Sequence, residues 1–137
     1  AAFHTHGDVV DDALISPAVA LHINVGNRAK NGGNTDSVSG QFAALRALFD
    51  AAAARVAADE VSDAPVDRAV RREIPVVAHA DQADVIASLL RLRDRYNLRL
   101  IVSGAAEAHV IANRIRESGP DEVSVLLRAR TPPADFD

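Results

Sequence analysis

The chain of 137 residues contains no cysteine and no methionine. Without cysteine there is no disulfide, no thiolate nucleophile and no thiolate zinc site, and the redox compartment stays open. A complete cytosolic product would begin with methionine, whereas this chain opens Ala1-Ala2-Phe3, so it reads as processed, trimmed or a fragment. No apolar run reaches the roughly 18 to 20 residues of a membrane span, and no charged stretch followed by an apolar one opens the chain. A soluble chain with no membrane partner is expected. Positive charge is not in excess either: 15 Lys and Arg against 19 Asp and Glu leave a net charge of -4. That argues against a nucleic-acid partner held by phosphate neutralisation. Neither a Gly-x-Gly-x-x-Gly fingerprint nor a Walker lysine follows any apolar run, and Ser103-Gly104 lacks the Gly-x-Ser-x-Gly elbow. Dinucleotide, nucleoside-triphosphate and serine-hydrolase chemistry thereby lose their sequence support.

What is present is a single α/β segment over 1–137, with 48% hydrophobic residues and enough length for one core. Residues 1–14 read as an extended N-terminal end. Ala18 to Val25 follows Ser16-Pro17 and stops at Gly26, which marks a strand. The Gly- and Asn-rich stretch 26–36 is a loop. Ser37 or Ser39 can cap the next segment, and Phe42, Leu45, Leu48, Phe49 and Ala52 recur at helical steps, predicting a helix over roughly 39 to 58. The acidic stretch 59–67, with Pro65, reads as a surface connection, and 68–73 as a short helical turn.

Ile74 to Ala80 is a second strand, with Pro75 where a missing donor is tolerated. Asp81 can cap a helix over about 82–96 whose stripe is Val85, Ile86, Leu89, Leu90 and Leu92. Leu98 to Ser103 is a third strand, and a helix over 107–117 places Val110, Ile111 and Ile115 inward. Val123 to Leu127 is the fourth strand, and 128–137 with Pro132-Pro133 is an irregular tail. The order β-α-β-α-β-α-β, with continuous aliphatic strands, predicts a parallel sheet covered by helices.

The reactive inventory is histidine, carboxylate and serine. His4-Thr5-His6 places two imidazoles on one side of an extended segment, which suits a metal ion, and equally describes a solvated chain end. His79 stands at the C-terminal end of the second strand, where ligand groups gather in parallel α/β folds; a packed, backbone-bonded histidine fits there too. His22 reads as a strand histidine and His109 as a helix-surface one. Arg91, Arg93 and Arg95 read as the solvated side of their helix, paired with acids such as Asp94.

The run from Ile74 to Leu90, with Pro75-Val76-Val77-Ala78-His79-Ala80-Asp81, then Tyr96 to Val102, then Ala106-Glu107-Ala108-His109-Val110-Ile111-Ala112, resembles the middle of imidazolonepropionase-like amidohydrolases. Upstream, Ala20-Leu21-His22 and Ser37 to Arg46 resemble fungal-type members, so the resemblance spans roughly 15–137. It implies about half of a metal-dependent (β/α)8 barrel. In the family, strand-end histidines and an aspartate hold one or two divalent ions, zinc first among them, that activate water against a C–N or related bond. His79 matches the family's fifth-strand metal ligand. The next strand's histidine falls at Gly104, where this chain has none. His4 and His6 resemble the first-strand His-x-His but stand too close to the following segment, and the last-strand aspartate has no counterpart.

The expected function is therefore part of an amidohydrolase-like hydrolase, inactive alone, with a divalent metal or none. The alternative is a non-enzymatic α/β domain acting through self-association or a complementary chain, since four parallel strands leave open edges.

Overall fold

The computed structural model describes the backbone of residues 2–3 and 14–16 and the residues 18–26, 37–60 and 62–127. Two short strands, β1 (Ala2–Phe3) and β2 (Leu14–Ser16), pair antiparallel. There follow β3 (Leu21–Asn24), α1 (Val38–Ala57), α2 (Pro65–Val70), β4 (Val76–Ala80), α3 (Ala83–Tyr96) and β5 (Leu100–Gly104). A 3-10 turn (Ala108–Ile111), α4 (Ala112–Glu117) and β6 (Val123–Leu127) complete the described chain. The rest of the expected N-terminal end, the loop from 27 to 36 and the tail 128–137 lie outside the described residues.

β3, β4, β5 and β6 form one parallel sheet in chain order. The order never reverses, and right-handed crossovers then place every connecting helix on the same face. Packing agrees. Val76, Ala78, Ala80, Leu100, Val102 and Val123 share one buried cluster with Phe49, Val85, Ile86, Leu89 and Leu90 of the helices, whereas Val77, His79, Ile101 and Ser103 stand outside it. The alternation is the period of two of a strand: one set of side chains meets the helices and the other faces away. This is the arrangement of part of a TIM-type barrel, with helices outside and an inner face toward the axis.

Local chemistry sets the element ends. Ser37 accepts a hydrogen bond from the Gly40 amide at 3.0 Å and so caps α1. Asn97, in the left-handed region at φ 52°, ends α3. Other expectations are corrected. The acidic connection is not all surface: Pro65, whose fixed φ suits a first helical turn, starts α2, and Asp67 in that turn is only 1% exposed. Its carboxylate accepts from Arg55 Nη2 at 2.6 Å and Nε at 3.1 Å, a two-pronged pairing that compensates its lost hydration. The Arg55 hydrogen bond, with a further one from Ser62, holds the Asp67 carboxyl below the usual carboxylate range.

Gln82, not Asp81, is the N-cap position of α3 and gives no side-chain cap. The Ala83 amide instead donates to Glu107 Oε2, 2.9 Å away on the next connection. Val110 is not inward but 64% exposed, and Ala108 is buried in its place. A turn of 3-10 helix advances the chain by three residues per turn instead of 3.6, which rotates the stripe anticipated for a continuous α-helix.

The N-terminal end of the sheet is tied by charge. Glu122 accepts from Arg72 Nη2 at 2.7 Å and from Arg93 Nη2 at 2.8 Å, and these hydrogen bonds lower its carboxyl. Arg93 is thus half-buried rather than fully solvated as its spacing suggested; Arg91 and Arg95 are exposed. No helix among the described residues is long and apolar enough to cross a membrane.

Candidate functional site

The face of the sheet turned away from the helices carries most of the strand-borne polar side chains. Parallel register aligns His22 with Val77, Ile101 and Ser124, and Asn24 with His79, Ser103 and Leu126. The second row is the one nearer the C-terminal strand ends. It brings an amide, an imidazole and a hydroxyl side by side on three adjacent strands. His79 is half-buried, Ser103 is buried and Asn24 is exposed. The rings of His22 and His79 stack, with centroids 6.1 Å apart and planes 28° from parallel.

Two further connections shape this end. Gly26, at φ +116°, turns the chain out of β3, and its peptide is clamped by the buried Gln41 of α1: the Gly26 amide donates to Oε1 at 2.9 Å, while Nε2 donates to the Gly26 carbonyl at 3.2 Å. Beyond β4 and β5 the two loops interlock. The Ala105 amide donates to the Ala80 carbonyl at 2.8 Å and the Glu107 amide to the Asp81 carbonyl at 2.9 Å. A Cβ placed on Gly104 would lie 2.6 Å from Oδ1 of Asp81. The Asp81 carboxylate therefore closes over Gly104.

This packing relocates the comparison drawn from the sequence. His79 pairs in register with Ser103, and Gly104 pairs with Ala80. The residue that faces the same way as His79 on the next strand is Ser103, a hydroxyl where a second histidine would be needed. Gly104 belongs to the opposite set, has φ +96°, and has its side-chain space filled by the Asp81 carboxylate. Of the other expected metal residues, His4 and His6 lie outside the described residues. Among the described residues no three His, Cys, Asp or Glu side chains come together to hold a metal ion. His79 with Ser103 and Asn24 beside it does not fit a divalent-metal centre, because an amide and a hydroxyl are poor substitutes for imidazole and carboxylate. What the row offers by itself is hydrogen bonding to a polar ligand at the mouth of the sheet.

Some of these residues were within reach of sequence reasoning. Asn24 follows His22 by two, so strand alternation puts both on one face, and Ser103 follows Ile101 likewise. Gln41 and Glu107 carried no local signal, since their partners are 15 and 24 residues away. His109 is exposed on the 3-10 turn, as its surface reading anticipated.

No family model and no curated protein matches the chain. Among solved structures, an amidohydrolase from Thermotoga maritima has a similar fold, with a TM-score of 0.71 at 16% identity. The likeness covers 96% of this chain and 39% of that one, so the chain spans well under half the length of that protein. At this identity the likeness concerns architecture: a parallel α/β sheet of the kind found in an amidohydrolase barrel, in a sheet that presents His79 near the C-terminal strand ends.

Proposed function

We propose that the chain supplies central strands of an amidohydrolase-type barrel of the imidazolonepropionase-like, fungal-type group, acting in hydrolysis of C–N or related bonds, and that it does not hydrolyse substrate by itself. The observation that carries this reading is the position of His79: at the C-terminal end of β4, facing the inner side of a sheet whose strands follow chain order. Active sites of (β/α)8 enzymes are built at that end from residues on several strands. The resemblance of residues 74–90 to the family supports the finer assignment. A divalent ion, zinc first, would supply an activated water when bound. Of the described residues only His79 offers such an ion a ligand, so the remaining ligands would have to come from another chain. With Ser103 beside His79, the described strands alone are short of ligands, which is the reason for inactivity.

Zinc titration of the purified chain by calorimetry tests this. No stoichiometric zinc uptake by the folded chain alone is the expected outcome, because the described row supplies a single imidazole ligand. One zinc bound per chain and lost in His79→Ala, with an unchanged circular dichroism spectrum, overturns the incompleteness of the site.

A second reading, a non-enzymatic domain that associates with itself, draws on Leu126 and Leu127, which are 55% and 75% exposed on the outer strand β6. A strictly monomeric, metal-binding species in sedimentation would remove it.

A further inference from the structure

On the helix side of the sheet, remote from the His79 row, a groove of about 400 Å³ runs between α1 and α3. Val38, Phe42 and Leu92 line its floor, and Arg46, Arg91 and Arg95 stand along it. Phe42 and Leu92 are each 6% exposed, so the floor is part of the core surface, whereas the three arginines are exposed. Val38, Phe42 and Arg46 follow one another at four-residue steps on α1, and Arg91 and Arg95 do so on α3. Each helix therefore presents one continuous row to the groove. The α1 row is about 12 Å long, roughly two helical turns.

The charge here differs from that of the other arginines. Arg55, Arg68, Arg71, Arg72 and Arg93 are each held by a carboxylate. Arg95 has a single long contact, 3.4 Å to Asp50, and lies 5.5 Å from the centre of the Tyr96 ring. Arg46 and Arg91 have no carboxylate partner among the described residues. Among the described residues no acidic side chain lines the groove and the first turn of α1 carries none, so the positive end of that helix adds to the field. In a chain with net charge -4, this is a local cationic strip laid over apolar floor.

We propose that the groove docks a short acidic amphipathic helix of a partner protein, whose carboxylates meet Arg46, Arg91 and Arg95 while its apolar residues cover Phe42 and Leu92. Guanidinium groups match carboxylates with two parallel hydrogen bonds, and an amphipathic helix laid in an apolar groove reads it through residues three and four apart. The rows of side chains at four-residue steps on both helices favour a helix over a compact anion, which would engage the arginines without following the rows.

The test uses a fluorescein-labelled synthetic helix of about 14 residues with glutamate on one face and leucine on the other, followed by anisotropy against the full chain. Binding should weaken about tenfold in Arg46→Gln/Arg91→Gln and in high salt, and stay unchanged in Arg114→Gln/Arg116→Gln, all variants keeping the parent circular dichroism spectrum. The proposal is overturned if a glutamine version of the peptide binds equally, or if both double variants lose binding alike. It is also overturned if inorganic phosphate or phosphatidylserine vesicles compete fully for the arginines, or if sedimentation shows the groove filled by a second copy in a dimer that Arg46→Gln/Arg91→Gln dissociates.

Discussion

The two faces of the sheet are made from the same strands and do opposite things. Toward the helices, Val76, Ala78, Leu100 and Val102 are at most 3% exposed and belong to one cluster of buried aliphatic and aromatic side chains. Toward the other side, β4 and β5 with their neighbour β3 carry His22 and Asn24, which are exposed, His79, which is half-buried, and the buried Ser103. Close packing rewards the first face with stability, since each buried apolar side chain removes area from water. Polar groups on the second contribute little to folding and are left to make contacts with something else. The division teaches that a parallel sheet with all its helices on one side separates the residues that hold it together from those that can act.

The largest expected effect tests that division directly. Leu89→Ala, on the α3 surface that covers the sheet, should cost about 2–5 kcal/mol, whereas Ile101→Ala, half-buried on the opposite face, should cost less than half as much. Denaturant unfolding of both variants measures it. Equal costs would mean that the open face is packed as tightly as the covered one.

A smaller effect belongs to the seam between the faces. Gly104→Ala forces a Cβ against Asp81 Oδ1 at a residue with φ +96°, and should cost about 1–3 kcal/mol. Combining it with Asp81→Ala removes the clash but not the backbone strain, so the double variant should recover only part of the loss. Full recovery would show that Asp81 alone excludes a side chain there.

The smallest effect concerns pH. Asp67, Glu73 and Glu122 are all lowered, first by hydrogen bonds from Arg55, Arg71 and Arg72 respectively. Groups lowered in the folded state contribute stability above their unfolded value and lose it as pH falls through the folded one. The thermal midpoint should be flat near neutrality and fall below about pH 4, and Asp67→Asn/Glu122→Gln should flatten that fall. An unchanged acid limb in the double variant would place acid sensitivity elsewhere, the open face included.

Much of the fold could be read from residues near one another in sequence. The aliphatic runs at Val76 and Leu100, the stripe of α3 and the stop at Asn97 are local signals, and their elements stand where periodicity placed them. What escaped depended on distance or on helix type. Glu107 caps a helix that begins 24 residues earlier, and Asp67 is buried because Arg55, on another helix, reaches it. Val110 faces solvent because a 3-10 turn rotates it, which α-helical spacing does not announce. At the candidate site, the position of His79 at a strand end was legible, but its neighbour was not. Only the register shows that Ser103 stands beside it, and Gly104 does not.

The unbroken strand order has a consequence for cooperativity. Because β3 touches β4, β4 touches β5 and β5 touches β6, with no strand inserted out of turn, the sheet behaves as a row of nearest-neighbour units. Protection against hydrogen exchange should then be highest at β4 and β5, flanked on both sides, and decline toward the two outer strands. The row that holds Asn24, His79 and Ser103 is thus anchored at its middle and loosest at its rim.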